Sequence, residues 1–176
     1  MDFLDPVKVL QEFGVFGTQD VADFGAGAGH FALEAARRLD GGRLFVVDIE
    51  KDMLSRLVSE ARLRNYDHVH SIWGDLAQIG GVPVADKSFD KVIAVSVLFE
   101  VDDRDAFAQE TKRLVRSGGK VLLIDWKEDS LFGPHRDSRI SEGDALSLFK
   151  KHGFEKEKNV DAGDYHYGMI LTRKDE

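Results

Sequence analysis

Val21-Ala22-Asp23-Phe24-Gly25-Ala26-Gly27-Ala28-Gly29-His30 is the stretch on which the reading of this chain turns. A short apolar run ends in three glycines at alternate positions, and a helical pattern starts at His30, with Phe31, Ala32, Ala35 and Leu39 on one face until Gly41-Gly42 stops it. A glycine-rich turn between strand and helix lets ligand atoms approach the backbone, and the free amides of a helix start favour anionic groups. The same residues also suit a plain tight turn. A dinucleotide fingerprint requires G-x-G-x-x-G/A. Here the glycines fall at 25, 27 and 29, position 30 is His, and an acid, Asp23, lies two residues before the first glycine, so the pattern departs from a nicotinamide-dinucleotide site.

Outward from that loop the chain alternates. Leu44–Asp48 reads as a buried strand, and residues 51–64 repeat at helical period through Met53, Leu54, Leu57, Val58 and Ala61. His68–Trp73 and Phe89–Val97 are the next strands. Asp102-Asp103 opens a helix with Phe107, Leu114 and Val115 on its apolar face, early acids suiting its positive N-terminal end. Ser117-Gly118-Gly119 is expected to end that helix, with Lys120–Trp126 the fifth strand. Ser141 with Asp144 forms an N-capping pair and Gly153 the matching C-cap. Phe154–Val160 and Tyr165–Thr172, turning at Gly163-Asp164, close the chain. Strands alternating with helices predict an α/β fold, a parallel sheet covered on both faces that binds ligands at the carboxyl ends of its strands. The last two strands are joined too tightly for a helical crossover and add an antiparallel edge. One domain over 1–176 is expected, and residues 1–19 hold Phe3, Leu4, Val7, Val9 and Leu10, which either form a short lid helix or pack on the sheet.

Two further acids fall at strand ends. Asp48 lies nineteen residues after Gly29, where a carboxylate can accept both hydroxyls of a ribose or simply cap the next helix. Gly74-Asp75-Leu76 follows the third strand, where a carboxylate can accept from an adenine amino group or belong to a plain turn.

The segments 21–29, Val47-Asp48-Ile49-Glu50-Lys51-Asp52-Met53-Leu54, Gly74-Asp75, Ser88-Phe89-Asp90-Lys91-Val92-Ile93 and Arg113-Leu114-Val115-Arg116-Ser117-Gly118-Gly119-Lys120-Val121 resemble, in order, the motifs of class I S-adenosylmethionine-dependent methyltransferases. The chain is similar to the small subgroup that includes the quinone-biosynthesis C-methyltransferases, from about residue 15 onward. The resemblance implies a Rossmann-like three-layer sandwich around a seven-stranded sheet of order 3-2-1-4-5-7-6 with strand 7 antiparallel. It implies S-adenosylmethionine as cofactor and S-adenosylhomocysteine as product. Gly25, Gly27 and Gly29 would line the methionine part, with Ala26 and His30 in the same loop and Asp23 near the amino group. Asp48 would hold the ribose, Ile49 would pack on the adenine, Gly74, Asp75 and Leu76 would meet the adenine edge, and Ser96 would lie beside the substrate pocket. Ser117 replaces the proline common in the family's Pro-Gly-Gly turn.

Composition narrows the function. The 176 residues carry 32 acidic against 24 basic side chains, a net charge of -8, which disfavours unaided nucleic-acid binding. The absence of cysteine excludes disulfides, thiolate nucleophiles and zinc–cysteine sites, and argues against arsenite-methylating chemistry; no metal site is expected. No signal peptide or membrane span is evident, and a cytoplasmic protein is expected. Ser96-Val97-Leu98-Phe99 lacks the Asn/Asp-Pro-Pro-Tyr signature of enzymes methylating amide or adenine nitrogens, and strand 4 lacks the aspartate of RNA ribose methyltransferases, of whose site Lys127 is a single piece. His30, His135, Tyr165 and His166 are candidate bases, none obligatory. Of these, His135 also suits an exposed loop, His30 cofactor positioning or a helix start, and Tyr165-His166-Tyr167 a half-buried edge strand. Three readings follow: methyl transfer to a small molecule, methyl transfer to a protein or RNA with a partner's help, or a non-catalytic cofactor-binding domain. A nicotinamide-dependent oxidoreductase ranks behind them.

Overall fold

β1 (Asp20–Phe24) is buried along its whole length, with Val21 in the core of one face and Ala22 and Phe24 in that of the other, as the middle strand of a covered parallel sheet requires; Asp20 and Asp23 are its buried acids. It pairs in parallel with β2 (Arg43–Asp48) on one side and β4 (Phe89–Val95) on the other, through Val21↔Leu44 and Val21↔Lys91. β3 (Val69–Trp73) extends the sheet beyond β2, and β5 (Val115–Trp126) beyond β4. β7 (His166–Arg173) runs antiparallel to β5 and to the edge strand β6 (Phe154–Asn159). The order is β3-β2-β1-β4-β5-β7-β6, as expected. The computed structural model describes residues 3–174; Met1 and Asp2, which open the expected N-terminal segment, lie outside the described residues.

One face carries α1 (Pro6–Phe13), α2 (His30–Arg38) and α3 (Lys51–Leu63), whose Leu10, Ala35 and Leu57 share a core with Ile93 and Leu122. The other carries α4 (Arg104–Leu114) and α5 (Glu142–Lys151). There Phe24, Phe107, Phe149 and Phe154 meet edge to ring, with centroids 5.4 to 6.4 Å apart, the geometry the ring quadrupole favours. Among the described residues no helix is long and apolar enough to cross a membrane.

The N-terminal segment packs on the sheet. Asp5 caps α1 by accepting from the Val7 amide (2.9 Å), and Pro6 occupies its first turn. At the other end the Lys91 ammonium, from β4, donates to the Phe13 and Gly14 carbonyls at 2.6 and 2.5 Å, where a helix C-terminus favours a cation. Desolvation pushes the Lys91 pKa down to about 8.

Two element boundaries differ from expectation by more than one residue. α4 ends at Leu114 and the chain enters β5 directly, so Ser117-Gly118-Gly119 lies inside the strand, at a register shift against Phe89 and Lys91, instead of between helix and strand. β4 stops at Val95 instead of Val97, because Ser96 turns left-handed (φ 53°).

Candidate active site

The order of strands reverses between β1 and β4, so their following loops diverge to opposite faces and leave a crevice at their carboxyl ends. Two adjoining clefts occupy it. The first, about 600 Å³, is bounded by Leu4 and Pro6, the loop 25–29, His30 and Phe31, Val95 and Ser96, Phe99, Glu100 and Trp126, with Asp23 in its wall. The second, about 450 Å³, is bounded by Asp48, Ile49, Met53, Gly74–Ala77 and Val97–Asp102. Gly25, Gly27 and Glu100 line both.

Asp23, one residue before the end of β1, is the most unusual group present. It is 3% exposed, and its Oδ2 has no hydrogen-bond partner. Burial, followed by the charge of Asp48, pushes its pKa up to about 7. A buried carboxylate oxygen without a partner is costly, and a cationic donor is the group that would satisfy it.

The loop is held open by its backbone. Gly29 sits at φ +81°, and a Cβ there would lie 2.2 Å from the Leu57 Cδ1, so the close approach of α2 to α3 demands glycine. Gly29 offers no side chain to cap α2, whose first amides therefore begin at the cleft wall uncapped. Ser96 is one of three non-glycine residues at positive φ among the described residues, a strain of about 1–2 kcal/mol that the surrounding fold must hold. Its amide donates to the Ile124 carbonyl at 2.8 Å. Behind it Asp125, fully buried, accepts from the Leu98 and Trp126 amides at 2.9 and 2.8 Å. Burial pushes the Asp125 pKa up to about 6 against those hydrogen bonds.

On the second cleft, Asp48 Oδ1 accepts from the Glu50 amide (2.9 Å), a turn that leads into α3. Asp75 accepts from the Ala77 amide (2.8 Å) and the Gln78 side chain (2.7 Å). The segment carrying it is braced by Glu110, which accepts from the Gly80 and Val82 amides at 2.7 and 3.1 Å and pairs with Arg113 at 2.7 Å.

Each sequence-identified residue has a definite place. Asp23, Gly25, Ala26, Gly27, Gly29, His30 and Ser96 line the first cleft; Gly25, Gly27, Asp48, Ile49, Gly74, Asp75 and Leu76 line the second. His135 does not join them: its side chain is 82% exposed and faces Asp137 at 3.5 Å. Tyr165 and His166 line neither cleft; the His166 ring lies against Trp126, tilted 42° with centroids 4.1 Å apart. Lys127 donates to the Gly163 and Asp164 carbonyls. Sequence reasoning missed Glu100, Phe99 and Trp126. Their signal was position alone, just past the carboxyl ends of β4 and at the end of β5.

Residues 22–123 match the family model described as a methyltransferase domain. A ubiquinone/menaquinone biosynthesis C-methyltransferase of Haemophilus ducreyi is 30% identical over 122 residues, covering 69% of this chain and 46% of that protein. The methyltransferase GfsG of Streptomyces halstedii is 28% identical over 118 residues, covering 67% and 41%. The chain thus spans under half the length of these curated relatives. A solved S-adenosylmethionine-dependent methyltransferase from Aquifex aeolicus superposes with a TM-score of 0.87 at 23% identity, over 97% of this chain and 90% of that one, and shares the fold. The chain belongs to the methyltransferase domain family, of the class I S-adenosylmethionine-dependent type.

Proposed function

We propose that this chain binds S-adenosylmethionine across the two clefts and transfers its methyl group to a small-molecule acceptor. The observation that carries the reading is the unpartnered Oδ2 of Asp23 in the wall of the first cleft. A buried carboxylate at the head of a glycine loop fits the amino group of a bound amino-acid moiety. Asp48 and Ile49, in the second cleft, fit the ribose hydroxyls and one adenine face. Gly74, Asp75 and Leu76 fit the adenine edge, with the Asp75 oxygens already shaped by the Ala77 and Gln78 donors. Ala26, Gly27 and His30 border the methionine moiety and Ser96 the reacting end.

When bound, the cofactor supplies an electrophilic methyl group on a sulfonium. The chain's contribution is alignment: holding donor and acceptor in line supplies up to about 7–11 kcal/mol in well-oriented systems. The first cleft, about 600 Å³, supports a small acceptor, and the net charge of -8 disfavours a polyanion.

The test is Asp48→Ala. It removes a charged acceptor for two hydroxyls and is expected to weaken S-adenosylhomocysteine binding at least about tenfold, roughly 1.4 kcal/mol. Asp48→Asn, which keeps an acceptor for the Glu50 amide, separates this loss from damage to the turn. Binding as tight as the parent's by Asp48→Ala ends the assignment.

A further inference from the structure

We propose that the outer part of the first cleft is an acceptor recess that selects a cationic amine on a ring-sized apolar body over an anionic acceptor. The inference rests on the cofactor reading above and adds the acceptor's charge and shape.

Phe31, Phe99 and Trp126 give the recess its rings, and Leu4 and Pro6 of the N-terminal segment close its outer side. No lysine or arginine is among its lining residues, and His30 is the one lining group that can take a positive charge. The carboxylates are Asp23, matched above to the amino-acid moiety, and Glu100, where the two clefts meet. Burial, followed by the neighbouring Asp48, pushes the Glu100 carboxyl above its ordinary value. Aromatic faces beside a free carboxylate recognise ammonium groups. With Asp23 paired to the amino-acid moiety, an anion there would meet Glu100 with no lysine or arginine in the lining to offset it.

The nearby cations are committed to backbone. Arg104 donates to the Leu98 and Ser138 carbonyls at 2.8 and 2.5 Å. Lys127 donates to Gly163 and Asp164. Arg139 donates to the carbonyls of Lys127, Glu128, Ser130, Phe132 and Pro134. His166, behind Trp126, is held neutral by burial, its pKa pushed down to about 4. Trp126 is fixed between that ring and the backbone of Gly133, where a Cβ would lie 2.4 Å from the indole. The recess is therefore preformed as well as acidic, which lowers the ordering cost of binding.

The test is calorimetric titration of the full chain, saturated with S-adenosylhomocysteine, with benzylamine, benzyl alcohol and benzoate at neutral pH. Benzylamine is expected to bind at least tenfold more tightly than benzoate. Glu100→Gln is expected to reduce benzylamine affinity at least fivefold while changing that of benzyl alcohol less than twofold. No benzylamine binding, equal or tighter benzoate binding, or a preference unchanged in Glu100→Gln overturns the proposal. Failure of S-adenosylhomocysteine itself to bind overturns the cofactor reading and this inference together; its binding without charge preference among the probes overturns this inference alone.

Discussion

Asp23 places a nearly buried acid in the wall of the first cleft, with one oxygen unpartnered and its pKa pushed up to about 7. Its folded-state value lies above the ordinary 3.8. Its burial is therefore tolerated best when the group is protonated: the stabilising contribution is complete below pH 3.8 and is lost as pH rises through about 7. Ligand binding has the opposite sign, because an ammonium needs the carboxylate form. Affinity for S-adenosylhomocysteine is expected to fall as pH drops from 8 to 5, by at most about tenfold per unit below 7. Asp23→Asn is expected to bind weakly with a flat profile; a sloped profile in that variant would remove Asp23 from the account. Gly29 is a purely steric case. In Gly29→Ala the left-handed backbone costs about 1–2 kcal/mol and the clash with Leu57 about 1–3 kcal/mol more. Thermal unfolding is therefore expected several degrees lower, and an unchanged Tm would mean that α2 and α3 do not meet there.

The loop after β5 is built around one side chain. Arg139 reaches back to five carbonyls between Lys127 and Pro134, substituting for the regular structure this stretch lacks. Arg139→Ala is expected to raise amide hydrogen exchange across 128–134 while leaving β1 and β4 protected, since those strands belong to the buried core. Uniform loosening would show the loop to be part of the global folding unit. The strands beneath were legible because central parallel strands are mainly apolar on both faces and bounded by glycine or acid, as in Val21–Phe24, despite its Asp23, and Leu44–Asp48. The start of β5 was not: Gly118-Gly119 is a helix-stop signal locally, and only pairing with β4 makes it a bulge. The end of β4 was misplaced for the complementary reason, since Ser96 gives no local sign of its left-handed backbone.

The acids Asp23, Asp48 and Asp75 lie far apart in sequence, and the sheet order gathers their strand ends on one side of the molecule. Their spacing relative to the glycine loop made that half of the site readable. Glu100 and Trp126 stayed hidden because nothing in Leu98-Phe99-Glu100 or Asp125-Trp126 marks a cleft; the pairing of β4 with β5 brings them together. On the proposed function this crevice is a sulfonium-nucleoside site and not a dinucleotide one. Calorimetric titration of the full chain with S-adenosylmethionine, S-adenosylhomocysteine and NAD tests it most directly. Micromolar binding of the first two and none of the third is expected; binding of NAD alone, or of neither sulfur compound by the folded protein, would contradict the assignment.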